Sequence, residues 1–350
     1  YSTSLAAALR RAGATVTVIA ARNSPPLDGV MLHPLLPTVT PLERLLPLKL
    51  LPLVPAASRL LHDCDVIHAT VEPYAPLAAW AAGRRPAFVS AHGTYVRLPQ
   101  MLRPPFSWLY RRALSRAALV CVSRYTERVV RETLPGARTL VINNGVDFDR
   151  FADVQTLAAK AAQPTILFVG GVKARKGTLE LVRAMPAVRT HIADAQCVII
   201  GSLTLEPEYA ARVQQAVDEM GLADCVHLLG HVPDDVLRMW FAAAHVFALP
   251  SLNSGWQFEG YGLAHLEASA AGLPVIGTRD CGAEDAVDDG VTGLLVSQDR
   301  VADELPEAIV QLLRDPALAT RMGAAGRAKA SQQTWDAVAA AMLDAYQAAL

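Results

Sequence analysis

Short, unbroken apolar runs recur along this chain, each followed by a segment of helical pattern. ATVTVIA (14–20), DVIHA (65–69), AFVSAHG (87–93), LVCVS (119–123) and TLVINNG (139–145) fill the first part. TILFVGG (165–171), CVIIG (197–201), VHLLG (226–230), VFALPS (246–251), PVIGT (274–278) and GLLV (293–296) fill the second. A strand with one wet face alternates apolar and polar residues, and these do not. Such runs belong to parallel sheets covered on both faces by helices, so the expected class is α/β with doubly wound sheets.

The intervening helices are expected at 3–12, Pro76–Ala82, Ser107–Arg116 and Thr126–Thr133, then near 178–191, 207–220, 234–243, 263–271 and 302–313. A length of 350 residues suits two domains better than one core. The expected layout is a first domain over 1–150, an alanine-rich linker over 151–164, a second domain over 165–333, and a last helix, 334–350, crossing back to the first. The chain opens on a helix, whereas a doubly wound domain starts on a strand and a glycine-rich turn. The first residue is Tyr1, so that strand and turn are expected upstream of it.

Hydrophobic content of 52% with 19% charged residues excludes a disordered chain. The net charge of −1 hides an asymmetry: residues 1–150 carry 18 Lys and Arg against 9 Asp and Glu, the remainder 14 against 24. The basic first half suits phosphates or an anionic membrane surface. Cys64, Cys121, Cys197, Cys225 and Cys281 show no C-x-x-C spacing and read as small core residues in a reducing compartment. The most apolar stretch, 41–61, is interrupted by Pro47, Pro52 and Pro55 and carries charges, which makes it a poor spanning helix.

The stretch FEGYGLAHLEASAAGLPVIGT (258–278) carries the chemistry. Gly260 and Gly262 bracket Tyr261 at the start of a helix from Leu263 to Ala271. Unpaired amides at such a helix start favour a phosphate or pyrophosphate. Glu259 precedes the helix and Glu267 lies in its second turn, so the two acids can face one pocket and accept the diols of a sugar and a ribose. The plainer alternative is a capped amphipathic helix with solvated glutamates. GGVKARKGT (170–178) adds Lys173, Arg175 and Lys176 on a strand-to-helix loop, suited to phosphate or simply exposed to solvent. His92 ends a strand before Gly93, facing any inter-domain cleft. NNGVD (143–147) marks the exit from the first sheet. The segment 97–112 mixes Arg97, Arg103, Arg111 and Arg112 with Phe106, Trp108 and Tyr110, as a membrane surface or a buried aromatic stripe would require. No Cys/His or Asp-x-Asp cluster marks a dedicated metal site.

Together these motifs resemble glycosyltransferase family 4, retaining and metal-independent enzymes. The fold implied is GT-B, two Rossmann-like domains facing across a cleft, with the first strand of the N-terminal domain missing. Glu259 and Glu267 match that family's Glu-x7-Glu pair, VINNGVDFDRF (141–151) its hinge, and FVGGVKARKG its phosphate loop. HVFALPS, CGAEDAVDDGVTGLLV and AHGTY fit as well. The resemblance implies that Lys176 and the amides of Gly260, Tyr261, Gly262 and Leu263 hold the leaving diphosphate. It implies that Glu267 binds the ribose, Glu259 and His92 the donor sugar, and backbone near His231 and Val232 the base. The family usually has Arg where this chain has Gly171, so one phosphate contact is lost unless Arg175 or Lys173 replaces it.

The activity implied is transfer of a hexose, mannose or glucose favoured, from a nucleoside diphosphate sugar to a hydroxyl of a glycan, glycolipid or lipid-linked acceptor. The catalytic residues would be Glu259, His92 and Lys176, with no cofactor, no metal and no nucleic-acid partner. The alternatives are a non-catalytic nucleotide-sugar-binding protein, or an epimerase or phosphorylase of the same fold. The expected location is cytoplasmic, on the inner face of an anionic membrane.

Overall fold

The structure, a computed structural model, describes residues 1–37 and 45–350. The first four residues of the apolar stretch 41–61 therefore lie outside the described residues. The chain divides into two units, Tyr1–Gly145 with Trp335–Leu350, and Val146–Thr334.

In the first unit, β1 (Thr17–Ala21) and β2 (Met31–Leu36) form a parallel pair. Strands β3 (Ile67–Ala69), β4 (Ala87–Ala91), β5 (Ala118–Cys121) and β6 (Arg138–Val141) form a parallel sheet in that order. All five residues of β4 are buried, as an unbroken apolar run requires of a strand covered on both faces. The helix Arg124–Thr133 starts where the Ser123 side chain accepts the Thr126 amide at 3.0 Å, satisfying one of the first-turn donors. Leu5, Ala8 and Leu9 of the opening helix Ser2–Arg11 pack with Trp335, Val338 and Met342 of the last helix, Trp335–Gln347, beside Phe88 and Val120. The prolines of 46–60 do not abolish helix. They seed three successive short ones, Leu46–Leu50, Leu51–Leu53 and Val54–Leu60, each with proline in its first two positions. There the missing N–H has no intrahelical partner to lose.

In the second unit six parallel strands stand in the order β12-β11-β10-β7-β8-β9. They are β7 (Thr165–Val169), β8 (Gln196–Ile200), β9 (Val226–Gly230), β10 (Val246–Ala248), β11 (Val275–Thr278) and β12 (Gly293–Val296). The order runs outward from β7 through β8 and β9, then resumes on the other side with β10. The loops after β7 and β10 therefore diverge from adjacent strands, opening a crevice at the carboxyl edge where α/β sheets bind ligands. The stretch 151–164, expected as a linker, contributes buried Phe151 and Val154 to this unit.

Candidate active site

Lys176 follows β7, and Ser251 and Glu259 follow β10, so the crevice brings them together. Glu259 is 8% exposed. Its Oε2 accepts the Ser251 hydroxyl at 3.0 Å, the Arg175 Nη1 at 3.2 Å and the Lys176 ammonium. Burial alone would raise the carboxyl's pKa, but the charges of Lys176 and Arg175 outweigh it and hold the value at about 2. All three bonds fall on one oxygen, and among the described residues nothing bonds Oε1. Two cations against one carboxylate leave the cluster positive. It is charged for an anion and has a carboxylate oxygen free for a hydroxyl.

Two glycines make this geometry possible. Gly177 sits at φ +67°, and a Cβ there would lie 1.9 Å from the Pro250 carbonyl oxygen, so only glycine lets the two loops touch. A Cβ at Gly282 would lie 2.1 Å from the Gly260 carbonyl oxygen, and the Gly282 amide donates to the Glu259 carbonyl at 2.7 Å. The Leu252 amide also donates to the Arg175 carbonyl at 2.8 Å.

The site helix runs Leu263–Ala270 from Gly262, with no side-chain cap. The amides of Leu263 and Ala264 have no partner within the helix, so its start is open to an anion. Tyr261 is buried, with its hydroxyl toward Gln333 at 3.3 Å, so only its backbone is available to a ligand. Glu267, half-buried in the second turn, makes no hydrogen bond or ion pair among the described residues. Burial raises its pKa to about 7, against a lowering by Arg150, which pairs with Asp234. Gly171 carries no side chain; a Cβ there would meet Leu205 Cδ1 at 2.7 Å and Lys173 Cε at 3.6 Å. The Lys173 ammonium makes no hydrogen bond or ion pair among the described residues, whereas Arg175 already shares Glu259 with Lys176. His231 and Val232 follow β9, two strands from β7 and so roughly 10 Å away along the sheet edge.

His92 belongs to the first unit and follows β4. Its Nε2 donates to the Thr70 carbonyl at 2.8 Å, which fixes the tautomer and leaves Nδ1 an acceptor. Burial lowers its pKa to about 4, so the ring is neutral at ordinary pH. The amides of His92 and Gly93 both donate to Glu72 Oε1, at 2.7 and 3.2 Å.

Sequence reasoning passed over Ser251, Gly177, Gly282, Glu72 and His265. The last lies in the first turn of the site helix, fully buried, with neither ring nitrogen hydrogen-bonded and its pKa lowered to about 4 by burial. Only the serine had a signal, its position directly after the run VFALP.

A crevice with paired cations, open helix amides and two acids is built to take an anion beside hydroxyls, and the two α/β units are those of GT-B. The chain belongs to glycosyltransferase family 4 and is a glycosyltransferase: residues 149–329 match the model for glycosyl transferases group 1 and residues 1–150 that for Glycosyltransferase Family 4. It is 35% identical over 300 residues to a GDP-mannose-dependent alpha-(1-6)-phosphatidylinositol monomannoside mannosyltransferase of Mycobacterium tuberculosis, covering 81% of this chain and 76% of that one. A sucrose-phosphate synthase from Thermosynechococcus elongatus has a similar structure, with TM-score 0.79 and 25% identity over 98% of this chain and 91% of its own. Anabaena Alr3699/HepE in complex with UDP and glucose shares the fold, with TM-score 0.71 and 21% identity over 85% and 82% of the two chains.

Proposed function

We propose that this protein transfers a mannosyl or glucosyl unit from a nucleoside diphosphate sugar to a hydroxyl of a lipid-linked or glycan acceptor, with retained configuration and no metal. The observation that carries the reading is the Glu259 cluster: two cations and open amides for the diphosphate, with one carboxylate oxygen left for the sugar. GDP-mannose and an inositol phospholipid acceptor are favoured, because relatives 33% and 35% identical to this chain are named for them.

In this mechanism Lys176, Arg175 and the amides of Leu263 and Ala264 take up charge on the leaving diphosphate. Such preorganised electrostatics account for most of the rate enhancement in many enzymes. No side chain of the cluster is placed as a nucleophile, so the acceptor oxygen attacks on the face that the diphosphate leaves. The carbon–oxygen bond to phosphate breaks as the new glycosidic bond forms, and the acceptor proton passes to the departing phosphate oxygen. Glu259 Oε1 and neutral His92 Nδ1 accept sugar hydroxyls, Glu267 the ribose diol, and backbone near His231 and Val232 the base. Lys173 stands in for the side chain absent at Gly171.

The acceptor reading also assigns a peripheral, cytoplasmic-face location. It draws on exposed Trp108, at 66%, and Leu48, at 54%, with Arg111 and Arg112 beside the former. Among the described residues no helix is long and apolar enough to cross a membrane.

Incubation with radiolabelled GDP-mannose or UDP-glucose and a phosphatidylinositol acceptor, with and without EDTA, tests the reading. Labelled glycolipid of unchanged anomeric configuration, formed equally with chelator, is the expected result. Binding without turnover, or rearranged donor, would replace it with the non-catalytic or epimerase alternative.

A further inference from the structure

The first unit holds a cavity of about 550 Å³ that His92 does not line. It lies at the amino ends of β4, β5 and β6, lined by Ala87, Ala118 and Arg138, the first residue of each. His92 follows the other end of β4, roughly 13 Å away along the strand.

Arginines define its walls: Arg84, Arg85, Arg116 and Arg138. Arg85 is committed to backbone, donating to the carbonyls of Ala81 at 2.8 Å and Cys64 at 2.9 Å among others. The other three are exposed and barely used. Arg116 Nη2 donates to the Gly83 carbonyl at 3.1 Å, and Arg138 Nη2 to the Arg116 carbonyl at 3.3 Å. Arg84 makes no hydrogen bond or ion pair among the described residues. No described carboxylate pairs with any of the four, although a guanidinium carries five N–H donors in a rigid fork. Gathering like charges without a counterion is unfavourable, and an incoming anion relieves it. Between the arginines the lining is apolar: Ala79, Ala82 and Phe88, all buried, with Ala349 and the exposed Leu350 beside them.

A rim of forked cations over an apolar floor matches one kind of ligand. We propose that this cavity binds a phosphate diester whose ester side is apolar, the chemistry of an acidic phospholipid headgroup with its first methylenes. The guanidiniums of Arg84, Arg116 and Arg138 take the phosphate oxygens, and the alanine and Phe88 floor takes the acyl-glycerol side. The site is independent of the sugar-donor crevice and stands whether or not the acceptor is a lipid.

The test uses the full chain, wild type against the triple variant Arg84→Gln, Arg116→Gln and Arg138→Gln. The probes are dihexanoylphosphatidylglycerol below its micelle concentration and inorganic phosphate, followed by titration calorimetry. Saturable binding of the lipid, weakened roughly tenfold or more in the triple variant as charge-assisted bonds are lost, is expected. Nucleotide-sugar affinity and melting temperature should not change, which shows that the variant is folded. Lipid binding unaltered by the three substitutions, or absent in the wild type, overturns the proposal. Inorganic phosphate binding as tightly as the lipid overturns the apolar half of it and leaves a plain phosphate site.

Discussion

Gly177 lies against Pro250 so closely that a Cβ on the glycine would sit 1.9 Å from the proline's carbonyl oxygen. This contact joins the loops after β7 and β10, and Lys176 is the residue immediately before it. Gly177→Ala imposes both a left-handed backbone and a collision with backbone atoms. We expect a loss of about 3 kcal/mol of stability, from the upper end of the range for strained backbone. Nucleotide affinity should fall with it, because Lys176 is displaced. Thermal unfolding and calorimetry measure the two, and a folded variant with wild-type affinity would disconnect the contact from the site.

Lys176 and Glu259 should respond to substitution with opposite signs. Lys176→Ala removes a cation from the diphosphate site and should weaken nucleoside diphosphate binding by roughly 30-fold, about 2 kcal/mol for a charge-assisted bond. Glu259→Gln releases Lys176 and Arg175 from their carboxylate, so the same ligand should bind as tightly or more tightly while kcat falls. Equal loss of affinity in both variants would contradict the division of roles.

Glu267 supplies a pH dependence. Its pKa is raised to about 7 by burial, so the carboxylate that accepts ribose hydroxyls fills in only as pH rises toward 8. Nucleotide affinity should increase between pH 6 and pH 8, and Glu267→Gln should flatten that increase. An identical slope in the variant would place the titration elsewhere.

Glu72 acts on stability. Burial raises its pKa to about 7, against the amides of His92 and Gly93, which lower it. A carboxyl whose folded pKa exceeds its unfolded one stabilises fully below the unfolded value near 4.5 and loses that contribution as pH climbs through 7. The full span is about 3 kcal/mol. Glu72→Gln keeps an acceptor for both amides and cannot titrate. The drop in melting temperature from pH 5 to pH 8 should be smaller in the variant than in the wild type.

The strands were legible because each is an unbroken apolar run, and local pattern reports burial on both faces directly. Glu259, Lys176 and the glycine turn at Gly262 were legible because short-range spacing places them on loop and helix start. What escaped depends on distant neighbours. The helix Pro316–Gln332 contains Gly323 and Gly326, which argue against helix locally. Gly323 is there because a Cβ would lie 2.1 Å from the Gly272 carbonyl oxygen, and Gly326 packs on Ser269. β2 was hidden by Pro34, tolerated in a strand paired on one side only. Gly282 and Glu72 have no local signature; each acquires its role from a segment brought up by the fold.

The amide of Val146 donates to the Gln333 carbonyl at 2.8 Å, so the two ends of the second unit lie side by side. That unit is thus a complete insert within the first, whose hydrophobic interior still wants Trp335, Val338 and Met342. The second unit therefore brings its own two ends together, while the first is complete only once Trp335–Gln347 has packed onto Ser2–Arg11.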